Sequence, residues 1–221
     1  EFLKRGVPQG SVVGPILFNI FLNDFFYFIG NVEIYNYADD NSLSYHHIDP
    51  KVLQQVLEKS SEDAITWFKQ NNMKVNPKKF QAISLCRDQS KLIKTFNIAG
   101  NEVFSQETVK LLGVTFDKDL NFEAHISSLC RKTSGQVKAL RRMSSMIDFD
   151  SRVKVLNSYI SSNFNYCAVV WHSCSMTSTR KMEQLNKMAL RIVFNDPISS
   201  YHELLVKAGK QTMYTYRKQL I

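Results

Sequence analysis

Two neighbouring carboxylates, Asp39 and Asp40, are the residues of this 221-residue sequence best suited to chemistry. They lie between two strand-like runs, residues 32–37 and 42–46, which predicts a β-hairpin with both acids at its tip. A tight turn is needed to bring both side chains toward one cation, because successive side chains of a strand point to opposite faces. Mg²⁺ binds through one or two protein carboxylates and shares its other positions with water and substrate phosphates. The pair is therefore a candidate divalent-cation site, with a solvated turn as the alternative.

A loop that precedes a helix-like run forms the second candidate site. It consists of Pro8, Gln9, Gly10 and Ser11. Gly10 allows a ligand to approach the backbone closely, and the positive start of the following helix favours phosphate or another anion. Pro15 suits the first turn of that helix, since its missing N–H costs nothing there. The alternative is an ordinary capped loop without a ligand.

The elements that must position these residues follow from hydrophobic periodicity and from turn residues. We expect a helix from Pro15 to about Phe28 and a long amphipathic helix from Pro50 to about Asn71. Short strands are expected at residues 81–86, 95–98 and 108–116. A helical period begins at Phe122, and further helices are expected at roughly residues 150–163, 177–194, 200–207 and 211–220. The organisation is thus an α+β block to about residue 120 followed by an all-helical block.

Charge is distributed unevenly along the chain. The chain contains 28 Lys and Arg residues and 20 Asp and Glu residues, which gives a formal charge of +8. Residues 1–50 carry two basic and six acidic side chains, whereas residues 121–221 carry fifteen basic and six acidic ones. An acidic N-terminal part suggests carboxylates that bind cations, and a basic C-terminal part suggests side chains that bind a polyanion. Solvated charges on a mildly basic globule are the alternative.

Cysteine content and hydropathy exclude two classes of protein. Four widely spaced cysteines in so long a chain exclude a disulfide scaffold and suggest reduced, buried thiols of an intracellular protein. Cys167, His172 and Cys174 are close together, but their spacing matches no zinc pattern. The most apolar stretch, residues 12–29, contains Asn19, Asn23 and Asp24 and is therefore expected to be a buried helix rather than a membrane span.

A series of motifs in order resembles the reverse transcriptases. Residues 6–11 (GVPQGS) and 14–18 (GPILF), followed by residues 37–40 (YADD), are similar to two successive motifs of that family. Trp67-Phe68 with residues 76–79 (NPKK) is similar to the next motif, and residues 109–114 (VKLLGV) to the one after it. The spacing resembles the jockey-type branch of non-LTR retrotransposons. The resemblance covers nearly the whole chain.

This resemblance implies a fold and an activity. Residues 1–120 would be a partial polymerase palm, an antiparallel sheet with helices on one face, and residues 121–221 an all-helical thumb-like region. The activity would be RNA-directed DNA synthesis with two Mg²⁺ ions, or Mn²⁺ in their place. The expected partners are an RNA template, a DNA primer and dNTPs, with no membrane, in the nucleus and cytoplasm.

The resemblance also assigns roles to individual residues. Asp39 and Asp40 match the metal ligands, Lys79 matches a general acid for the leaving pyrophosphate with Lys78 as its neighbouring alternative, and Tyr37 lies in the same motif as the acids. Contacts to template and nucleotide fall on the first loop, namely Pro8, Gln9, Gly10 and Ser11. Leu112 and Gly113 match a hairpin that supports the primer end. Contacts to the nucleic-acid backbone fall on a basic stripe, namely Arg131, Lys132, Lys138, Arg141 and Arg142.

One part of the family pattern is not found in this sequence. The first palm motif, which supplies another essential aspartate, is expected upstream of the first loop, together with the fingers. We therefore expect these 221 residues to be inactive without that upstream polypeptide. A remnant that binds RNA or an RNA–DNA hybrid without chemistry is the competing hypothesis.

Overall fold

The protein consists of two compact units, Glu1–Gln106 and Glu107–Ile221, in a computed structural model that describes residues 6–8, 10–86 and 88–221. In the described residues, the strands form three separate antiparallel pairs. The predicted α+β class is confirmed, but in this part of the chain the strands form separate two-stranded sheets and not one antiparallel sheet with helices on one face. The physical reason is local, because each pair is closed by a short turn and packs against a helix of its own unit.

The first unit begins with two short helices, α1 (Gly14–Leu22) and α2 (Phe25–Phe28), where the sequence predicted one. The break falls at Asn23 and Asp24, whose side chains favour turns over helix interiors. It turns Phe25 inward, so that this fully buried ring lies 5.1 Å from the ring of Trp67. Packing of Phe25 thus accounts for the position of the break.

The predicted hairpin and the long helix after it are confirmed. Strands β1 (Glu33–Tyr37) and β2 (Asp40–Ser44) pair antiparallel, and α3 (Pro50–Gln70) follows. Asp49 caps α3, because its carboxylate accepts a hydrogen bond from the backbone N–H of Lys51 at 2.9 Å. Ile34 of β1 packs on the cluster formed by Phe25 and Trp67. One face of the hairpin is therefore fixed to the helices.

The remainder of the first unit contains a second hairpin. Strands β3 (Thr95–Ile98) and β4 (Asn101–Phe104) pair antiparallel and contact α3. The strand predicted at residues 81–86 is wrong, since only Ala82 makes a ladder contact there, with Ser105. The hydroxyl of Ser105 instead accepts a hydrogen bond from the backbone N–H of Ser84 at 3.0 Å, which replaces the next ladder bond.

The second unit opens with a hairpin and a long helix. Strands β5 (Thr108–Leu111) and β6 (Val114–Asp117) replace the single strand expected at residues 108–116, and α4 (Glu123–Met143) follows. Val114 is buried in one core with helical residues such as Ile126 and Leu140. The hairpin therefore belongs to the compact helical unit, whereas composition alone grouped it with the preceding strands.

A connector braced by one carboxylate joins β6 to α4. Leu120 and Phe122 both have left-handed backbone, with φ of 53° and 58°. The carboxylate of Asp117 accepts hydrogen bonds from the backbone N–H groups of Asn121 at 3.0 Å and of Phe122 at 2.6 Å. It also accepts one from Asp119 at 3.2 Å. These bonds hold a conformation that leucine and phenylalanine disfavour.

We expect Asp117→Ala to lower the free energy of unfolding by about 2 kcal/mol, because the part-buried N–H of Phe122 loses a charged acceptor and two exposed N–H groups lose theirs. Urea unfolding followed by circular dichroism measures this loss. Asp119→Ala is the matched control, since it removes an exposed carboxylate two residues away. Equal losses in both variants would contradict the bracing role of Asp117.

The remaining helices pack around a shared core. The helix expected at residues 150–163 is divided into α5 (Phe149–Val155), a π-helical turn (Leu156–Ser161) and α6 (Ser162–Asn165). Side chains of Ser158 and Ser162 donate to the carbonyls four residues earlier, at 2.7 and 2.6 Å, which competes with regular helical bonding. The predicted last three helices are confirmed. They are α7 (Met176–Phe194), α8 (Tyr201–Lys207) and α9 (Met213–Gln219).

A buried arginine lies in the core of this helical unit. Arg217 of α9 is 1% exposed, and its guanidinium lies 5.0 Å from the ring centre of the fully buried Trp171. Its Nη2 donates to the hydroxyl of Thr179 on α7 at 3.1 Å. Its Nε and Nη1 have no acceptor among the described residues. Arg217 thus joins α9 to α7 mainly through packing.

The burial expected for the apolar residues 12–29 is wrong for most of them, because Ile16, Ile20 and Tyr27 are exposed, and the burial expected for the cysteines holds for one of them. All four cysteines are free, but only Cys174 is buried, whereas Cys86, Cys130 and Cys167 are half-buried, the last two at the edge of the core of the second unit. Within the described ranges, no helix has both the length and the apolar character that crossing a membrane requires.

Candidate functional site

The hairpin tip displays the two candidate acids toward solvent. Tyr37 pairs with Asp40, so Ala38 and Asp39 alone form the turn, and Ala38 has a left-handed φ of 53°. Tyr37, Asp39 and Asp40 are all exposed. The predicted position of both acids at the apex of a two-stranded ribbon is confirmed. Their predicted roles stay a prediction.

Two asparagines brace this turn from the opposite face. Asn36 and Asn41 lie opposite each other in the register, and the amide of Asn36 donates to the side-chain oxygen of Asn41 at 2.9 Å. The same amide donates to the carbonyl of Ala38 at 2.9 Å, and the amide of Asn41 donates to that of Asp39 at 3.3 Å. The two asparagines therefore hold the turn backbone from one face of the hairpin, and the two carboxylates remain exposed to solvent. The sequence analysis did not identify this pair. Both asparagines lie two residues from a turn residue, and this symmetric placement is a signal that the sequence contains.

The charges around the tip suit a cation. Among the described residues, no lysine or arginine forms an ion pair with Asp39 or Asp40. No cluster of three or more His, Cys, Asp or Glu side chains able to hold a metal occurs in the described ranges either. Two carboxylates at one tip fit Mg²⁺ that takes its other ligands from water and phosphate.

The first loop is organised by Ser11. Its hydroxyl donates to the carbonyl of Pro8 at 2.8 Å and accepts from the backbone N–H of Gly14, at the start of α1, at 3.0 Å. Gly10 has a φ of 82°, a conformation that glycine adopts without strain. Ser11 thus shapes the loop rather than presenting its hydroxyl outward. Gln9 lies outside the described residues.

Lys79 ends an exposed single turn of 3₁₀ helix, Pro77–Lys79. The side chain of Asn76 caps this turn, accepting from the backbone N–H of Lys78 at 3.1 Å. Both lysines are exposed, and Phe80 turns back into a cavity of about 270 Å³ beside α3. The turn therefore presents two adjacent ammonium groups at a position fixed by Asn76 and Phe80.

The β5–β6 turn is formed by Leu112 and Gly113, with φ of 45° and 86°. The hydroxyl of Tyr166 donates to the carbonyl of Leu112 at 2.6 Å. A Cβ at position 113 would lie 3.4 Å from the ring of Tyr166, so the ring covers the glycine closely. The Leu112 side chain is exposed at the apex. Tyr166 thus fixes the tip of this second hairpin.

His125 of α4 supports the same hairpin from below. Its Nδ1 accepts a hydrogen bond from the backbone N–H of Thr115 in β6 at 3.3 Å, which requires a neutral ring. Burial of the ring, and to a smaller degree the charge of Lys110, lowers the pKa of His125 from its ordinary value. The neutral form is therefore the one that the folded unit stabilises.

A pH dependence of stability follows from His125. Its pKa is lower in the folded protein, so its contribution is complete above the unfolded pKa of about 6.5 and is lost as pH falls through the folded pKa. We expect wild type to lose stability relative to His125→Gln as pH falls from about 7 to 5, measured by urea unfolding at each pH. A constant difference between the two proteins would contradict this role.

The basic stripe of α4 is exposed throughout. Arg131, Lys138 and Arg142 recur at spacings that place them on one face of α4. Among the described residues, no acidic side chain forms an ion pair with any stripe member. The stripe residues are all exposed, namely Arg131, Lys132, Lys138, Arg141 and Arg142. Such a face can bind phosphates without reading sequence.

Comparison with protein families places the chain in a class. The family model described as reverse transcriptase (RNA-dependent DNA polymerase) matches residues 1–116, more than half of the chain, and the chain therefore belongs to this family. The predicted family is thereby confirmed. The matched residues include the hairpin tip with Asp39 and Asp40, the 3₁₀ turn with Lys79, and the Leu112–Gly113 turn.

Individual relatives come from non-LTR elements of flies. The chain is 26% identical over 211 residues to the RNA-directed DNA polymerase from mobile element jockey of Drosophila funebris, covering 89% of the chain and 22% of the relative. It is 24% identical over 208 residues to the probable RNA-directed DNA polymerase from transposon BS of Drosophila melanogaster, covering 88% and 23%. The chain thus spans less than a quarter of the length of these relatives. No solved structure matches it significantly.

Proposed function

We propose that this chain is part of an RNA-directed DNA polymerase of a jockey-like non-LTR retrotransposon and contributes to RNA-templated DNA synthesis. The observation that carries the proposal is the braced hairpin tip, which displays Asp39 and Asp40 without a competing cation in a chain of the reverse transcriptase family. Residues 1–120 would contribute part of the palm and residues 121–221 the thumb. The protein would act in the nucleus and cytoplasm.

In this proposal the chain supplies positioning groups for nucleotidyl transfer. Asp39 and Asp40 would hold two Mg²⁺ ions, or Mn²⁺, which when bound polarise phosphate oxygens and lower the pKa of the attacking hydroxyl. Lys79, with Lys78 beside it, would donate a proton to the leaving pyrophosphate. Tyr37 would contact the incoming nucleotide from the same tip.

The loop and the second hairpin would position the substrates. Gly10 and its neighbours Pro8, Gln9 and Ser11 would contact template and nucleotide, with Ser11 holding the loop shape that the contact requires. Leu112 and Gly113 would support the primer end, with Tyr166 fixing that turn. The α4 stripe would bind the phosphates of the primer–template duplex.

Primer extension on an RNA template tests the proposal. The polypeptide is extended upstream so that it includes the first palm motif and the fingers, and a labelled DNA primer is incubated with dNTPs and Mg²⁺. We expect extension that requires the RNA template, and none from the 221 residues alone, because a further carboxylate is needed to complete the cation site. Extension by the 221 residues alone would contradict the incomplete-site account, and none by the longer polypeptide would contradict the activity.

The exposed α4 stripe favours a second candidate, a non-catalytic remnant that binds RNA or an RNA–DNA hybrid. We expect Arg131→Gln with Lys138→Gln and Arg142→Gln to weaken hybrid binding at 100 mM salt by about tenfold or more and to reduce the salt slope by about 2 to 3. Fluorescence anisotropy measures both values, with Lys154→Gln as a single-charge control outside α4. An unchanged slope would contradict the role of the stripe. Binding without extension by the longer polypeptide would favour the remnant.

A further inference from the structure

A groove in the helical unit, lined by none of the candidate residues above, has the features of a ligand site. It has a volume of about 480 Å³, within the range of small-molecule sites in proteins. It is bounded by α6, α7, α9 and the connection between α8 and α9. Among the residues that line it are Phe164, Asn165, Asn186, Lys210, Gln211 and Tyr216.

The shape of the groove is built into the backbone around it. Gly209 has a φ of 60° and ends α8, and the backbone N–H of Lys210 returns to the carbonyl of Leu205 at 2.9 Å. This turn directs the Lys210 side chain toward the π-helical turn, where its ammonium donates to the side-chain oxygen of Asn157. Helical π-turns occur frequently at functional positions. The Lys210 side chain thus connects two segments that lie 53 residues apart in sequence.

The chemistry of the lining suits an anion that carries a planar polar group. Lys210 is the cation of the groove, and no carboxylate occurs among its described lining residues. Lys210 is exposed and forms no ion pair among the described residues, and desolvation lowers the pKa of its ammonium. Glu183 of α7 does not line the groove, and its carboxylate accepts from the hydroxyl of Tyr201 and from the backbone N–H of Tyr214. An anion that enters the groove would therefore contact the Lys210 ammonium without repulsion from a lining carboxylate.

Amide and aromatic groups complete the site. Asn186, 6% exposed, contributes to the lining while its Nδ2 donates to the Tyr201 hydroxyl at 2.9 Å, which fixes its orientation. Asn165 and Gln211 add two more amides, the nitrogen of Gln211 also donating to the side-chain oxygen of Gln219, and amides pair with the hydrogen-bonding edges of nucleobases. The ring of Tyr216, 37% exposed, offers a face on which a base can stack, whereas Phe164 is buried and forms part of the apolar floor. A phosphate alone would leave the amides and the Tyr216 ring unused.

We propose that this groove binds one unpaired nucleotide of a nucleic acid strand, with its base on the exposed ring of Tyr216 and beside the amides, and with its phosphate at Lys210. The inference rests on the proposed function only in taking nucleic acid as the partner, since it needs neither polymerisation nor the hairpin tip. The site would hold a single-stranded segment that flanks the copied region, separately from the duplex contacts proposed for α4.

The test measures binding of a labelled single-stranded RNA of about eight nucleotides to the 221-residue chain. We expect Tyr216→Ala to weaken binding about tenfold and Tyr216→Phe to leave it unchanged, because stacking survives in phenylalanine. We expect Lys210→Gln to reduce the salt slope by about 0.7, and Lys218→Gln, an exposed charge on the same helix, to leave it unaltered. Thermal unfolding confirms that each variant is folded.

Further measurements locate the bound ligand and show which kind of molecule supplies it. In two-dimensional NMR spectra we expect the side-chain amide signals of Asn186 and Gln211 to shift when the RNA strand is added. Addition of free AMP should cause smaller shifts of the same signals. An abasic strand of equal charge, or a polyglutamate peptide, is expected to leave those signals in place. The proposal is overturned if the abasic strand binds equally well, if the peptide displaces the RNA through Lys210, or if Tyr216→Phe loses as much affinity as Tyr216→Ala. Because primer extension is not measured, such a failure would leave the polymerase proposal standing.

Discussion

Replacing Asp39 with Asn in the upstream-extended polypeptide is expected to lower RNA-templated primer extension by about a thousandfold or more. The substitution keeps the size of the side chain but removes a negative charge, and cation-based stabilisation of a phosphoryl transition state is worth several kcal/mol. The hairpin itself should persist, because the turn is held by Asn36 and Asn41 and not by the Asp39 side chain. Steady-state extension rates with RNA template and Mg²⁺ measure the effect.

The control for this experiment is Asp63→Asn. Asp63 is a carboxylate of the same unit, and its partner is Lys59 on the same helix at 3.0 Å. Such surface pairs contribute little to stability, so extension should stay within about twofold of wild type. Equal extension by wild type and Asp39→Asn would remove Asp39 from the cation site. An equal loss in both variants would point to damage of the unit rather than to chemistry.

Arg217 is expected to produce the largest effect on stability. Arg217→Ala should lower the free energy of unfolding of the helical unit by about 3 kcal/mol or more, because it leaves a cavity against the fully buried ring of Trp171. Arg217→Met fills most of that volume and removes two guanidinium nitrogens that have no acceptor among the described residues. It should therefore cost less than about 1 kcal/mol or stabilise the unit.

Urea unfolding of both variants, with Lys218→Met as an exposed neighbour for comparison, separates packing from charge at this position. A loss in Arg217→Met as large as that in Arg217→Ala would show that the guanidinium charge, and not its volume, holds α9 to α7. That result would contradict the packing role derived from the Trp171 contact.

The elements that sequence predicts correctly are those with strong local signals. The first hairpin has β-rich runs on both sides of turn residues, and α3 begins at Pro50 directly after the capping residue Asp49. The hairpin alone also determines where Asp39 and Asp40 lie. Local chemistry was therefore enough to place the central candidate residues on the fold.

The elements that sequence reasoning missed depend on tertiary packing or on side-chain competition with the backbone. The break between α1 and α2 follows from burial of Phe25 against Trp67, a contact between residues far apart in the chain. The π-helical turn reflects hydroxyl bonds of Ser158 and Ser162 to helical carbonyls. Hydrophobic periodicity contains neither kind of information.

Supporting residues were harder to predict than candidate ligands for the same reason. Asn36, Asn41 and Tyr166 act on carbonyl groups of turns, and their identities alone do not reveal which turn they reach. Tyr166 lies 54 residues from Leu112, so only the folded unit brings them together. The residue types of a site can thus be read from motifs, whereas the groups that fix their geometry require the structure.

Binding of Mn²⁺ to the hairpin tip tests the central claim most directly. Mn²⁺ is paramagnetic and broadens NMR signals close to its site, so titration of the upstream-extended polypeptide, which carries the further carboxylate, in the presence of dNTP maps the cation. The account predicts that backbone amide signals of residues 37–41 broaden first and that the double variant Asp39→Asn with Asp40→Asn abolishes this broadening. Broadening that begins elsewhere, or that persists at the tip in the double variant, would contradict the account.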